Sequence, residues 1–174
     1  MKKFNGEVLF LNREDINTDE IIPAKYLTAI SKDELKPHLL EDLKIEGFNP
    51  ETDIDETSVI VTRSNFGCGS SREHAVWAFE VNGINLVIAS SFARIFRQNM
   101  YNCGMLAVEL PVEVIENLFV KYSGKTVSIE TDFEKGILNV KSNGTSEEIS
   151  FKQSEFDHDL IVSGGWIEYA DSRY

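Results

Sequence analysis

The run Asn65-Phe66-Gly67-Cys68-Gly69-Ser70-Ser71-Arg72-Glu73-His74-Ala75 constrains this chain more than any other stretch. Before it, Ser58–Thr62 is β-branched and apolar, which predicts a buried strand. After it, Ala75, Val76, Ala78 and Phe79 mark the apolar face of a helix that Gly83 would stop. A strand that turns through small residues into a helix leaves backbone N–H groups free at the positive end of the helix dipole, where an anion docks. Arg72 falls in the first helical turn, where a cation opposes that dipole; a bidentate grip on a carboxylate or phosphate accounts for its presence. A purely structural reading stays open, because Ser70-x-x-Glu73 has the form of a capping box and Gly67 and Gly69 permit a tight turn. The run lacks the third glycine of a dinucleotide fingerprint, the Gly-Lys-Ser/Thr of a phosphate loop and the Gly-x-Ser-x-Gly order of a nucleophile elbow.

At 174 residues the chain is expected to form one domain spanning 1–174. No apolar run approaches the roughly 20 residues that cross a bilayer, so no membrane partner is expected. The basic start Met1-Lys2-Lys3-Phe4 lacks the apolar core of a signal peptide, which makes the cytoplasm the expected location. Cys68 and Cys103 are too few for a disulfide framework and cannot ligate a metal or an iron–sulfur centre alone, so both are expected as buried free thiols. A net charge of −12 argues against nucleic acid as a partner. Yet between Ile60 and Met105 Arg63, Arg72, Arg94 and Arg97 face only Glu73 and Glu80, a locally basic middle suited to a small anion.

Taken in order, Glu7–Leu11 reads as a strand and Asn12–Asp19 as loop and cap residues, while Ile21–Leu27 follows no period. From Thr28 to Thr57 the chain is polar and acidic: Ser31 and Glu34 suit one short helix, and Pro37 suits the start of another over His38–Leu43. This excursion carries little apolar content and is expected to take its order from something else. Ile84–Ala89 then predicts a strand, Ser90–Met100 a helix beginning on serines, Met105–Leu110 a strand, and Pro111–Tyr122 a helix stopped by Gly124. Strand–helix alternation indicates an α/β fold with a largely parallel sheet. Thr126–Glu130 and Ile137–Lys141 alternate apolar and polar residues, which adds an antiparallel β element ending near Ile149 and Phe151. Leu160–Val162 predicts a short closing helix.

In a parallel sheet the helix starts at Ser70 and Ser90 lie side by side at the strands' carboxyl ends, where Arg72, Arg94 and Asn99 can converge. Arg94 and Arg97 equally suit a solvated helix face, Asn99 a helix-end hydrogen bonder, His74 a tie to a helix neighbour, and His38 and His158 the surface.

The central run resembles the signature of the aconitase superfamily's swivelling domain, in the form that stands as a separate small subunit of dehydratases of the 3-isopropylmalate type. Asn17–Leu27, Ser91–Phe96 with Asn99 and Gly104, and Ser163-Gly164-Gly165 resemble further family segments in the same order, so the likeness covers nearly the whole chain. It implies a reversible dehydration–rehydration of a malate-type dicarboxylic acid, a single swivelling β/β/α domain, and a larger partner subunit that carries a [4Fe–4S] cluster. Carried onto this chain, it makes Ser70 the base, Ser71 and Arg72 the carboxylate-binding residues, and the loop around Thr28 the reader of the substrate's variable substituent. Thr28, Ala29 and Ile30 bear no charge, which suits a branched alkyl group: isopropylmalate first, 2,3-dimethylmalate next, and homocitrate-type acids (a homoaconitase) last. A reading from another class is a non-catalytic, anion-binding regulatory domain built on the same Gly67–Arg72 loop.

Overall fold

Apolar β-branched runs favour strands that are buried on both faces, and two of them, Thr57–Thr62 and Leu86–Ala89, lie inside one seven-stranded sheet. The computed structural model describes residues 1–174. Its strands are β1 (Gly6–Leu11), β2 (Thr57–Thr62), β3 (Leu86–Ala89), β4 (Leu106–Glu109), β5 (Ser128–Asp132), β6 (Ile137–Ser142) and β7 (Thr145–Ser150), in the order β4-β3-β2-β1-β5-β6-β7. β1 to β4 run parallel; β5 pairs antiparallel with β1 through Gly6 and Glu7, and β6 and β7 continue as hairpins. The expected α/β class, a largely parallel sheet with an added antiparallel element, is the observed one, and both parts share a single sheet.

Seven helices complete the fold: α1 (Thr18–Ile21), α2 (Pro50–Asp53), α3 (Glu73–Val81), α4 (Arg94–Asn102), α5 (Val112–Tyr122), α6 (Glu155–Ser163) and α7 (Trp166–Arg173). None is long and apolar enough to cross a membrane. One continuous apolar core joins β2, β3 and β4 to α3, α4 and α5, with Phe79, Phe96, Met100, Leu118 and Phe119 buried. α6 and α7 pack on α4. Here Gly104 meets Gly164 backbone to backbone, so closely that a Cβ on Gly104 would lie 2.6 Å from the Gly164 carbonyl.

Several local expectations fail, each for a tertiary reason. The excursion from Thr28 to Thr57 is not apolar-poor: it sends Leu35, Leu39, Leu40, Leu43 and Ile54 into the common core. No helix covers His38–Leu43. Instead a 3₁₀ helix runs over Lys32–His38 with Pro37 inside it, and Leu40 turns left-handed at φ 59° while its N–H reaches the Ile21 carbonyl at 2.9 Å. Lys32 fastens this segment to α3 through Glu80 at 2.7 Å. Neither serine pair starts a helix. The chain bends at Ser70 and at Ser90, Arg72 and Ala93 are still extended, and the helices begin only at Glu73 and Arg94. α7 is an added helix that carries no apolar face to mark it in the sequence, since none of its residues is buried and Trp166 and Ile167 remain exposed. Cys68 and Cys103 are free as expected but only half-buried.

Candidate active site at the carboxyl end of the parallel strands

Three loops leave the carboxyl ends of β1, β2 and β3 and are zipped edge to edge. The β1 loop binds the β2 loop through Gly67 N–H to Ile16 O (2.8 Å), Thr18 N–H to Cys68 O (2.9 Å) and Thr18 Oγ1–H to Ser70 O (3.0 Å). The β2 loop binds the β3 loop through Phe66 N–H to Ser91 O (3.1 Å), Ala93 N–H to Phe66 O (2.9 Å) and Asn65 N–H to Ser91 Oγ (2.8 Å). Gly67 is required at the centre: its φ is +80°, and a Cβ there would lie 2.2 Å from the Phe96 ring.

The short α1 is held in place by its own sequence. Asn17 and Glu20 form a reciprocal capping box, and Arg13 chelates the Glu20 carboxylate. That bond raises the Arg13 pKa and holds Glu20 below the ordinary carboxylate value against the opposing effect of burial. Asp19, at the exposed edge of α1, pairs with the Arg72 guanidinium.

A cavity of about 250 Å³ opens where these loops meet, lined by Thr18, Gly67, Gly69–Arg72 and Ala93–Phe96. Both helices that start on it, α3 and α4, have no side-chain cap, as is also true of α5 and α7, whereas α1, α2 and α6 are capped by Asn17, Asn49 and Ser154. The amides of Gly69, Ser70, Ser71 and Arg72 donate to no carbonyl. Free N–H groups at two helix N-termini make this wall suited to a negatively charged ligand.

Ser70, Ser71 and Arg72 all line the cavity. The capping box expected of Ser70 and Glu73 does not form: Arg72 is the residue that precedes α3, and the Ser70 hydroxyl carries no structural hydrogen bond. Its backbone carbonyl accepts from the Thr18 hydroxyl instead, and Arg72 is still extended ahead of α3. Of the four central arginines, Arg72 and Arg94 reach the cavity. Arg63 pairs with Glu116, Arg97 pairs with Glu109, and Asn99 lies farther along α4 outside the lining. Thr28 is exposed and does not line the cavity; it follows a 3₁₀ turn, Ala24–Tyr26, whose Tyr26 stacks on His38 at 3.8 Å. His38 is therefore not a free surface group, since its Nδ1 also meets Glu41 at 2.8 Å and Glu41 accepts from the Tyr26 hydroxyl at 2.7 Å. His74 rests on Trp77 as expected. His158 stacks on Phe133 at 4.9 Å beside Glu134, so it is not a free surface group either.

Thr18 and Ile95 are lining residues to which composition and spacing assign no role. Thr18 is recognisable only once α1 is seen against the β2 loop. No three His, Cys, Asp or Glu side chains are grouped to hold a metal. Cys68 sits in the β2 loop and Cys103 closes the far end of α4; burial raises the Cys68 thiol pKa and pushes that of Cys103 up to about 11, so neither is a ready thiolate. The residues present do not fit an iron–sulfur cluster held by this chain.

The family model of the aconitase C-terminal domain matches residues 1–113. The chain is 40% identical to 3-isopropylmalate dehydratase small subunit 2 of Deinococcus radiodurans over 90% of its own length and 71% of that protein's. It is 37% identical to the 3-isopropylmalate dehydratase small subunit of Aquifex aeolicus, covering 98% and 96% of the two chains. It is also 37% identical to the 2,3-dimethylmalate dehydratase small subunit of Eubacterium barkeri, covering 98% of each. The crystal structure of 3-isopropylmalate dehydratase from Methanocaldococcus jannaschii superposes with a TM-score of 0.78 at 32% identity, over 98% of this chain and 94% of that one.

Proposed function

This chain belongs to the aconitase C-terminal domain family, and we propose that it is the small subunit of a two-subunit hydro-lyase that interconverts 2-isopropylmalate and 3-isopropylmalate in the cytoplasm. The observation that carries this reading is the uncapped Ser70 hydroxyl, which shares one cavity with Ser71, Arg72 and two uncapped helix starts. Ser70 Oγ, as the alkoxide, takes the proton from the substrate carbon next to the one that bears the hydroxyl. The C–H electron pair becomes the double bond as the hydroxyl leaves, and rehydration in the opposite sense moves the hydroxyl to the neighbouring carbon. A serine serves as base only where fixed donors stabilise its anion and water is scarce. The Gly69–Arg72 amides and the α3 N-terminus are such donors. Ser71 and Arg72 hold a substrate carboxylate, for which Arg72 exchanges Asp19.

The likeness to small subunits of dehydratases supports a larger partner subunit, which would carry the [4Fe–4S] cluster and supply a Lewis acid for the departing hydroxyl. That partner closes over the cavity and excludes water. The uncharged loop Thr28-Ala29-Ile30, with Ile30 98% exposed, meets the substrate's alkyl substituent once the partner is in place. An acid with a third carboxylate in that position would be left unpaired at substantial cost. The equally full match to the dimethylmalate enzyme's small subunit supports 2,3-dimethylmalate as the second candidate.

The test is reconstitution with the large iron–sulfur subunit and comparison of kcat/KM on isopropylmalate, 2,3-dimethylmalate and homocitrate. Isopropylmalate should lead, and Thr28→Arg should shift preference toward the tricarboxylic acid. Turnover by this chain alone, or preference for homocitrate by the unmodified complex, would overturn the proposal.

A further inference from the structure

Arg94 stands apart from every other arginine in the molecule. The chain carries 29 acidic residues against 17 basic ones, so a carboxylate is within easy reach of most cations. Arg13 pairs with Glu20, Arg63 with Glu116, Arg72 with Asp19, Arg97 with Glu109 and Arg173 with Asp159. Arg94 alone among the six makes neither an ion pair nor a side-chain hydrogen bond, and it lines the cavity with Ser71 and Arg72. Its position is unfavourable for the helix: as the first residue of α4 it sets a cation at the positive end of the dipole, with no side-chain cap to offset it. Arg97, one turn along the same helix, is satisfied by Glu109 at 2.9 Å. Neither packing nor pairing within this chain explains Arg94.

We propose that Arg94 is a second carboxylate-binding residue of this cavity, holding the substrate carboxylate that Ser71 and Arg72 do not. The inference rests on the dehydratase reading above. A malate-type acid brings two carboxylates separated by only a few bonds, and one cation cannot neutralise both when a partner seals the cavity from water. The two arginines are prepared differently. Arg72 is already occupied by Asp19, which the incoming acid must displace, whereas Arg94 has nothing to give up. Arg94 therefore makes the first contact and Arg72 completes the grip. Its planar fork also sets the direction of the bound carboxylate, which a lysine ammonium would not do.

The test uses the reconstituted two-subunit complex with Arg94→Gln, Arg94→Lys and, as a control on the same helix, Arg97→Gln. Arg94→Gln should raise KM for the dicarboxylic substrate about 10- to 100-fold, the loss expected for a charge-assisted hydrogen bond, with a smaller effect on kcat. Arg94→Lys should recover only part of this, and Arg97→Gln should stay within about twofold of the unmodified complex. A competitive monocarboxylate analogue, which would engage the unpaired Arg94 before the Asp19-paired Arg72, should inhibit the Arg94→Gln complex more weakly than the unmodified one, and equal inhibition would overturn the proposal. A KM within about twofold of the original overturns the proposal. So does a loss of activity fully explained by weaker subunit association in a partner titration, which would make Arg94 a docking residue. If the unmodified complex turns over none of the acids, the dehydratase reading fails by itself; calorimetric titration of isopropylmalate into both complexes then decides on Arg94, with equal affinity refuting it.

Discussion

The two halves of the sheet bury their residues in opposite ways. In the parallel half β3 is buried at every position, β2 at all but Ser58 and β4 at all but Glu109, with β1 at the junction fully buried only at Leu11. By contrast, β5, β6 and β7 bury at most alternate residues. A strand buried on both faces has no side chain left to offer a ligand, so in the parallel half the chemistry moves to the loops at the carboxyl ends. There, successive loops arrive side by side and can be zipped together, as those after β1, β2 and β3 are. In the antiparallel half, Asn143 and Gly144 turn the chain straight back at φ 47° and 78°, and the solvent side carries pairs such as Lys141–Glu130 at 2.7 Å. That half closes the edge beside β1 and contributes nothing to the cavity lining. Within one sheet, connection length decides which half can build a site.

The sharpest break between the halves should come from Ser70→Ala in the reconstituted complex. Loss of a base lowers kcat by about 10²- to 10⁴-fold. Because the Ser70 hydroxyl is exposed and unbonded, the melting temperature should not move. Near-normal kcat would place the base elsewhere. Leu138→Ala is the mirror experiment in the antiparallel half. Leu138 is fully buried, so denaturant unfolding should show a loss of about 2–5 kcal/mol while kcat and KM of the assembled enzyme hold. A change in KM there would mean that the halves are mechanically coupled. The smallest effect concerns two tyrosines, Tyr101 on α4, bonded within the parallel half, and Tyr122 on α5, bonded across to β7. Burial pushes the Tyr101 phenol up to about 12, where its hydroxyl donates to the Ala107 carbonyl. Burial and then the Glu147 hydrogen bond push Tyr122 up to about 12, where it ties α5 to β7. Both values lie above the ordinary 10.0, so the stability tied to the neutral phenols is intact below that pH and is lost as pH rises through about 12. Phenolate absorbance should show both ionising late. Tyr122→Phe should remove one late step and leave the cavity's substrate affinity unchanged.

The alternation of strands and helices is readable because each buried strand is a compact apolar run and most of the connections carry a glycine or proline. The approximate site was readable too, since small residues between a strand and a helix have few other uses. The misreadings share one cause, which is a local signal overruled by a distant partner. Ser70 and Ser90 look like helix starts, but the Ser70 carbonyl accepts from Thr18 and the hydroxyl of the adjacent Ser91 accepts from the Asn65 amide. Leu35, Leu39, Leu40 and Leu43 fit no helical face because Leu40 turns left-handed to send them all into the core. Arg94 and Arg97 are indistinguishable by spacing, and only Glu109, brought in from the end of β4, separates them.

The contact of Gly104 with Gly164 gives α4 a fulcrum. The helix spans nine residues, with its far end braced against the C-terminal tail and Arg94 at its near end on the cavity. A rod about 13 Å long converts a small tilt at the brace into a displacement of similar size at the guanidinium. The bare backbones at Gly104, Gly164 and Gly165, where Gly165 comes as near to the Asn102 carbonyl as 2.5 Å from a would-be Cβ, leave no room for such a tilt. Alignment of the cavity is thus set partly from the opposite end of the molecule, by residues that carry no side chain at all.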